Sequence, residues 1–294
     1  MSKTITEEKK REIREFYLRK PISLVKMSEI FGYCGITIRR ILGPDIKLYE
    51  RNRIFNPELN EDFFSAIDDE SKAYFLGLII SDGNVYDPND SGHQTTHGGS
   101  KWVSISLQEN DSYILNSFRE KIGLTSKVAS DGRGTSYVSV RSNKMAEDLE
   151  KYGIVQRKSF ITEFPRNIPE ELHRHVIRGI IDGDGSVDAY EKYTPKDNRN
   201  RFKHRISCCG THRLMCEMVE IIKENVKLEF LPKVYDYKNR VLSEFKVSNI
   251  HDMYALGKWM YEDSTIYMKR KRGAFEEFVK HYDLEPVRLH NFQC

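Results

Sequence analysis

Two apolar segments that each end in Asp-Gly constrain this chain more than any other feature. The first runs Ala73-Tyr74-Phe75-Leu76-Gly77-Leu78-Ile79-Ile80-Ser81-Asp82-Gly83, and the second runs His175-Val176-Ile177-Arg178-Gly179-Ile180-Ile181-Asp182-Gly183-Asp184-Gly185. Each reads as a helix, and the pattern after each is the same. Behind the first, strands are expected near 84–87, 101–108, 126–130 and 134–141, with helices near 111–122 and 143–152. Behind the second, strands are expected near 186–193, 200–208, 229–236 and 239–247, with helices near 211–225 and 250–260. Each half closes on a basic segment: Gln156-Arg157-Lys158-Ser159-Phe160, then Met268-Lys269-Arg270-Lys271-Arg272-Gly273-Ala274-Phe275. Recurrence in register over this length predicts an internal duplication. The expected fold is α+β, with two pseudo-symmetric αββαββα halves over residues 61–165 and 166–294.

The helices themselves carry small residues at a spacing of four. Ala73, Gly77 and Ser81 form one stripe, and Gly179 and Gly183, after His175, form the other. Residues four apart share a helix face. Glycine inside a helix costs about 1 kcal/mol against alanine, so Gly77 and Gly179 need a reason. Close approach of two backbones supplies it, and Ala73, Gly77, Gly179 and Gly183 are the expected interface. Packing the helices side by side brings Asp82 and Asp184 together at their C-terminal ends. There the helix dipole, the free carbonyls and the neighbouring carboxylate all oppose ionisation. A divalent cation reverses that balance. Two carboxylates with nearby carbonyl oxygens make a hard oxygen site for Mg²⁺, with Mn²⁺ as substitute, and Ser81 and Gly183 as further candidate ligands. Such a site can activate water for phosphodiester hydrolysis.

The expected strands alternate in a way that suits nucleic acid. Arg199, Arg201, Lys203 and Arg205 recur at period two, with Phe202, His204 and Ile206 between them. Trp102, Ser104, Ser106 and Gln108 share a face, as do Arg133, Thr135, Tyr137, Ser139 and Arg141, and Lys238, Arg240, Glu244 and Lys246. Like charges side by side are unfavourable without an anionic partner. A sheet lined with Arg, Lys, Ser and Gln is equipped for phosphates and base edges.

Residues 1–55 hold 13 Lys/Arg against 7 Asp/Glu, a net of +6 that leaves −3 for the remainder. In this basic piece a helix is expected over 6–18, then the short pattern Val25–Phe31, a turn at Gly32 and Gly35, and a helix from Ile36 to Leu42. That order predicts a small helix-turn-helix module over 1–43, with Arg39 and Arg40 directed at DNA. Residues 44–60 read as a linker. No apolar run approaches the roughly 20 residues needed to cross a bilayer. The charged N-terminus lacks the apolar stretch of a signal peptide. The five cysteines, Cys34, Cys208, Cys209, Cys216 and Cys294, form no C-x-x-C pair. A reducing compartment is therefore expected, the cytoplasm, nucleoid or an organelle matrix, without a zinc site.

The segments Phe75–Gly83 and Ile177–Gly185 resemble the two motifs of the single-chain LAGLIDADG homing endonucleases, and the element order over residues 61–280 follows. The resemblance implies two sheets forming a saddle over double-stranded DNA, and a monomer making Mg²⁺-dependent double-strand cuts with 3′ overhangs. It carries the metal-binding acid to Asp82 and Asp184. It carries the basic residue near the scissile phosphate to Lys246, with Arg141 as its first-half counterpart, and a water-orienting polar residue to Gln108, with no second-half equivalent evident. Ile80 and Ser81 depart from the usual Asp-Ala of the first motif, while Asp182 is acidic in the second. Residues 88–100 are expected to form a polar loop along the DNA, with His93 and His97 solvated. His290-Asn291 resembles the end of an intein, but Met1 and the absence of a splicing-type start lead to the expectation of a free-standing or intron-encoded protein. Two alternatives remain on the same scaffold: a DNA-binding regulator that has lost cleavage, and a maturase that binds intron RNA.

Overall fold

The computed structural model describes residues 5–46, 58–88, 99–195, 198–238 and 241–285. Among the expected sites, Arg240, His93, His97 and most of the 44–60 linker lie outside the described residues. The chain divides into two compact units, Met1–Pro57 and Glu58–Cys294.

The first unit holds three helices, α1 (Glu7–Arg19), α2 (Leu24–Phe31) and α3 (Gly35–Leu42). Thr6 and Ser23 cap α1 and α2 by accepting from the N–H groups of Lys9 and Lys26, which satisfies donors the helix leaves free. Gly32 stops α2 with φ of 72°, a left-handed cap that suits glycine. The turn from Gly32 to Cys34 then leads into α3. Ile13, Tyr17, Met27, Ile38, Ile41 and Leu42 form the unit's own core.

The second unit repeats one pattern. Its first half runs α4 (Glu70–Asp82), β1 (Gly83–Tyr86), β2 (Trp102–Gln108), α5 (Ser112–Lys121), β3 (Ala129–Ser130), β4 (Thr135–Arg141) and α6 (Asn143–Glu150). Its second half runs α7 (His173–Asp184), β5 (Gly185–Thr194), β6 (Arg199–Gly210), α8 (His212–Asn225), β7 (Val234–Tyr235), β8 (Ser243–Val247) and α9 (Ile250–Tyr261). A further helix, α10 (Lys269–His281), follows. The two antiparallel sheets have matching orders, β1-β2-β4-β3 and β5-β6-β8-β7. One hydrophobic core runs through both halves. No described helix is long and apolar enough to cross a membrane.

Three local expectations are corrected. The strand expected over 133–141 begins at Thr135, so Arg133 lies in a turn where its N–H donates to Asp131 Oδ1 at 2.7 Å. The strands expected at 229–236 and 239–247 contract to β7 and β8, leaving Lys238 in a turn. The second closing basic segment, for which the sequence pattern gives no helix, is the start of α10. Phe275, Phe278 and Val279 supply a buried apolar stripe that holds this helix against the core.

Candidate active site

Helices α4 and α7 pack backbone to backbone. A β-carbon at Gly77 would lie 2.1 Å from the Val176 carbonyl oxygen, and one at Gly179 would lie 2.2 Å from the Tyr74 carbonyl oxygen. Neither position has room for a methyl group, so glycine is required on both helices. Ala73 on the same stripe is fully buried. At the C-terminal end a β-carbon at Gly183 would meet Ser81 Oγ at 1.9 Å and Asp82 Oδ2 at 2.7 Å. The crossing therefore delivers the Asp82 carboxylate against the last turn of α7, beside Asp184.

The site's electrostatics follow from that placement. Burial first, and then repulsion from Asp184, push the Asp82 carboxyl up to about 6. Burial also raises Asp184. The cations set against them are Lys271, Lys158 and Arg270. Lys158 and Lys271 are both buried, and burial lowers both ammonium groups. Lys271 Nζ donates to the carbonyls of Ile181 (2.6 Å), Gly185 (2.7 Å) and Asp182. It thereby caps the negative end of α7. Arg270 donates to Asp111 Oδ2 at 2.8 Å, and the Lys269 N–H donates to the Tyr113 hydroxyl at 2.5 Å. Lys269 and Arg270 of the second half are thus held by the first half.

A buried network fixes the other end of the helix pair. Arg178 is wholly enclosed and donates to Glu70 Oε1 (2.6 Å), His175 Nδ1 (2.8 Å) and the carbonyls of Met260 (2.7 Å) and Ile266 (3.0 Å). Burial and two arginines depress His175 to about 3, so its ring is neutral and Nδ1 accepts. Glu70 also accepts from the N–H and hydroxyl of Thr265. Glu70 at the start of α4 and Arg178 in α7 therefore lock the two helices in one register.

The sheets present the expected polar faces to solvent. In the first, Tyr86, Trp102 and Arg141 lie in one cross-strand row. Tyr86 stacks on Trp102 at 4.2 Å, and the Arg141 guanidinium lies 5.2 Å from the Trp102 ring. Ser104 is half-buried, while Ser106, Tyr137 and Gln108 are exposed. In the second sheet Arg199, Arg201 and Lys203 are exposed. Arg205 is paired with Asp188 at 2.6 Å. Phe202 turns to the opposite face and stacks on His281 at 3.6 Å.

Strand register aligns the two halves. Gly83, Ile105 and Val138 form one row, matched by Gly185, Cys208 and Phe245. One step along, Asn84, Ser104 and Ser139 correspond to Ser186, Ser207 and Lys246. The register counterpart of Lys246 is therefore Ser139, not Arg141, which stands two residues further out. The counterpart of Gln108 is Thr211, which accepts from the Leu214 N–H and caps α8. Lys246 is turned to Glu244 (3.0 Å) and the Tyr237 hydroxyl (3.2 Å). In the first unit, Arg39 donates to the carbonyls of Gly43 (2.7 Å) and Ile46 (3.1 Å), so it closes its own helix and does not face outward. Arg40 is exposed.

The donor set suits a hard divalent cation. Two carboxylates that resist ionisation beside one another need a cation to hold both charges. Among the described residues no group of three His, Cys, Asp or Glu side chains could hold a metal. Water and phosphate oxygens would complete the shell around Asp82 and Asp184. The Gly183 carbonyl already lies 3.3 Å from Lys271 Nζ, and Ser81 Oγ turns back to the Leu78 carbonyl at 3.1 Å.

No protein-family model matches the chain. The solved structures that resemble it include the I-LtrWI LAGLIDADG homing endonuclease bound to target DNA, with a TM-score of 0.53, 15% identity and coverage of 76% of this chain and 91% of that one. The LAGLIDADG meganuclease I-AabMI bound to uncleaved DNA gives a TM-score of 0.52 at 13% identity, covering 74% of this chain and 91% of that one. The meganuclease I-SmaMI bound to uncleaveable DNA gives 0.50 at 13% identity, covering 71% and 89%. The fold is that of the single-chain, two-motif LAGLIDADG homing endonucleases. Among curated proteins, DNA-directed RNA polymerase subunit Rpo1C of Methanocaldococcus jannaschii is 29% identical over 125 residues, 40% of this chain. The chain spans only 13% of that relative's length.

Proposed function

We propose that this protein is a site-specific endonuclease that cuts both strands of duplex DNA. The observation that carries this reading is the pair of neighbouring carboxylates, Asp82 and Asp184, brought together at the ends of two glycine-notched helices where each helix leads into the first strand of its sheet. Asp82 and Asp184 would hold Mg²⁺, which supplies charge neutralisation at the phosphate and lowers the pKa of a water. Around it, the chain's own residues do the rest. Lys158 and Lys271 offset the charge of the carboxylates. Exposed Arg199, Arg201 and Lys203 contact backbone phosphates, while Trp102, Ser104, Ser106, Tyr137 and Gln108 face base edges. Arg40 on α3 adds a further phosphate contact in a helix-turn-helix manner.

The test is selection of cleaved molecules from a randomised duplex library in Mg²⁺, followed by end-mapping of both strands. The expected result is a recurrent long site with staggered cuts and 3′ overhangs. Asp82→Asn and Asp184→Asn should each keep binding and lose double-strand cleavage. Binding with no cutting by the unaltered protein would instead favour a regulator on this scaffold.

A further inference from the structure

The outer face of the second sheet carries a carboxylate–arginine pair that the fold does not need. Val187 and Ile206 turn to the core. Alternation therefore puts Asp188, Tyr190 and Lys192 of β5 on the outer face, with Arg205, Lys203 and Arg201 of β6. Asp188 and Arg205 stand directly opposite one another. Arg205 Nε donates to Asp188 Oδ2 at 2.6 Å, and Ser186 Oγ donates to Asp188 Oδ1 at 2.6 Å. Both carboxylate oxygens are thus engaged, and the guanidinium is held by its Nε edge. Its Nη1 and Nη2 make no hydrogen bond with any described residue, and the side chain is 43% exposed. Three steps outward from the matched rows of Gly83 and Gly185, the first-sheet counterparts of Asp188 and Arg205 are Tyr86 and Trp102, a stacked aromatic pair. The same sheet is therefore built in the first half without this ion pair.

We propose that Arg205 reads a guanine in the target duplex, with Asp188 and Ser186 as the positioning residues that aim its fork. This rests on the reading of the protein as a site-specific DNA endonuclease. The Nη1–Nη2 edge presents two N–H groups side by side, which match the O6 and N7 acceptors of guanine in the major groove. Adenine carries a donor at N6 where guanine carries O6, and that donor opposes the fork. Holding the Nε edge in advance removes rotamer freedom that a loose arginine would lose on binding. The carboxylate also decides between a base and a phosphate. Coupled to Asp188, Arg205 is close to neutral as a unit, so its pull on a phosphate is largely cancelled. A guanine edge has no net charge, and both hydrogen bonds to it are kept.

The experiment is binding selection from a randomised duplex library, with Ca²⁺ in place of Mg²⁺ so that recovery depends on binding rather than cutting. Affinities are then titrated on the selected site with each of the four base pairs at every guanine position. An exposed ion pair of this kind adds little to stability, so variants at both residues fold. Arg205→Lys keeps the charge and loses the fork. It should lose the preference for guanine at one position by about tenfold or more and leave the rest of the site as it was. Asp188→Ala leaves Arg205 charged and unaimed. It should relax the same position, while binding to unrelated duplex tightens and its salt slope steepens by about 1. A pair that serves only the sheet would leave the guanine preference unmoved in both variants. A phosphate contact would weaken all sites alike in Arg205→Lys and Arg205→Ala. Either result overturns the proposal and leaves the nuclease reading intact. A library that converges on no site at all sinks both.

Discussion

Gly77→Ala puts the fold's central contact to a direct test. The added methyl would stand 2.1 Å from the Val176 carbonyl oxygen and 2.9 Å from its carbon, where ordinary contact begins at 3.4 Å. The obstacle is backbone, so no side chain can swing aside and the helices must part by about an ångström. Overpacking of this kind costs about 1–3 kcal/mol, and a rigid neighbour places it at the upper end. The better helix propensity of alanine returns about 1 kcal/mol. A net loss of about 2 kcal/mol is expected, or about 4–8 °C in Tm for a unit of this size. Gly179→Ala meets the Tyr74 carbonyl at 2.2 Å and should behave alike. The double variant is the sharper measurement. Once one methyl has separated the helices, the second finds space, so the double loss should fall well short of the summed singles. Gly273 in α10 is the control, because nothing lies within 4 Å of a β-carbon there. Gly273→Ala should raise Tm by a few degrees. The assay is thermal and urea unfolding of all four proteins. Losses under about 0.5 kcal/mol in both singles, or strict additivity, would refute the tight crossing.

Further outcomes are expected. Asp82 has a folded-state pKa raised to about 6, so its ionised form is disfavoured and stability is lost as pH rises from about 4 through 6. Without metal, Asp82→Asn should therefore be more stable than the parent at pH 7.5, by about 1–2 kcal/mol after allowance for its partial exposure, and no more stable at pH 4; calorimetry at both values checks this. Mg²⁺ should stabilise the parent at pH 7.5 and progressively less below pH 6, where protons compete, and should leave Asp82→Asn unmoved in a thermal shift titration. Glu70→Ala strands the enclosed Arg178 guanidinium and should cost about 3–5 kcal/mol in urea unfolding. Arg40→Ala should lower the salt slope of DNA binding by about 1. Arg39→Ala should leave that slope unchanged and reduce stability instead, since Arg39 closes α3.

Much of this was legible because periodicity and repetition report directly on packing. Gly77 and Gly179 announced a close crossing, and Asp82 and Asp184 took their places from it. The strand faces of Trp102–Gln108 and Arg199–Arg205 followed from alternation alone. What stayed hidden depends on contacts that no local pattern encodes. Arg133 and Lys238 continue an alternating pattern into turns, because period two does not say where pairing stops. Arg39 and Arg40 look alike in sequence, yet one meets the carbonyls of Gly43 and Ile46 and the other does not. Lys158 and Lys271 were visible only as members of basic segments that close each half. Their recurrence at the same point of the repeat was the available signal, and only the fold reveals that both side chains turn inward toward the carboxylates. Ser139 as the partner position of Lys246 required the register itself.

The grip of Asp111 and Tyr113 on Lys269 and Arg270 bears on how such proteins can be recombined. Exchanging halves between relatives is an obvious route to new target specificities, and the glycine seam alone would suggest that any two halves could be mated. Here the first half also carries the socket into which the second half's tail plugs, and Tyr74 reaches across to Asp182. A hybrid that retains this second half must bring Tyr74, Asp111 and Tyr113 along with it as a single transplanted set.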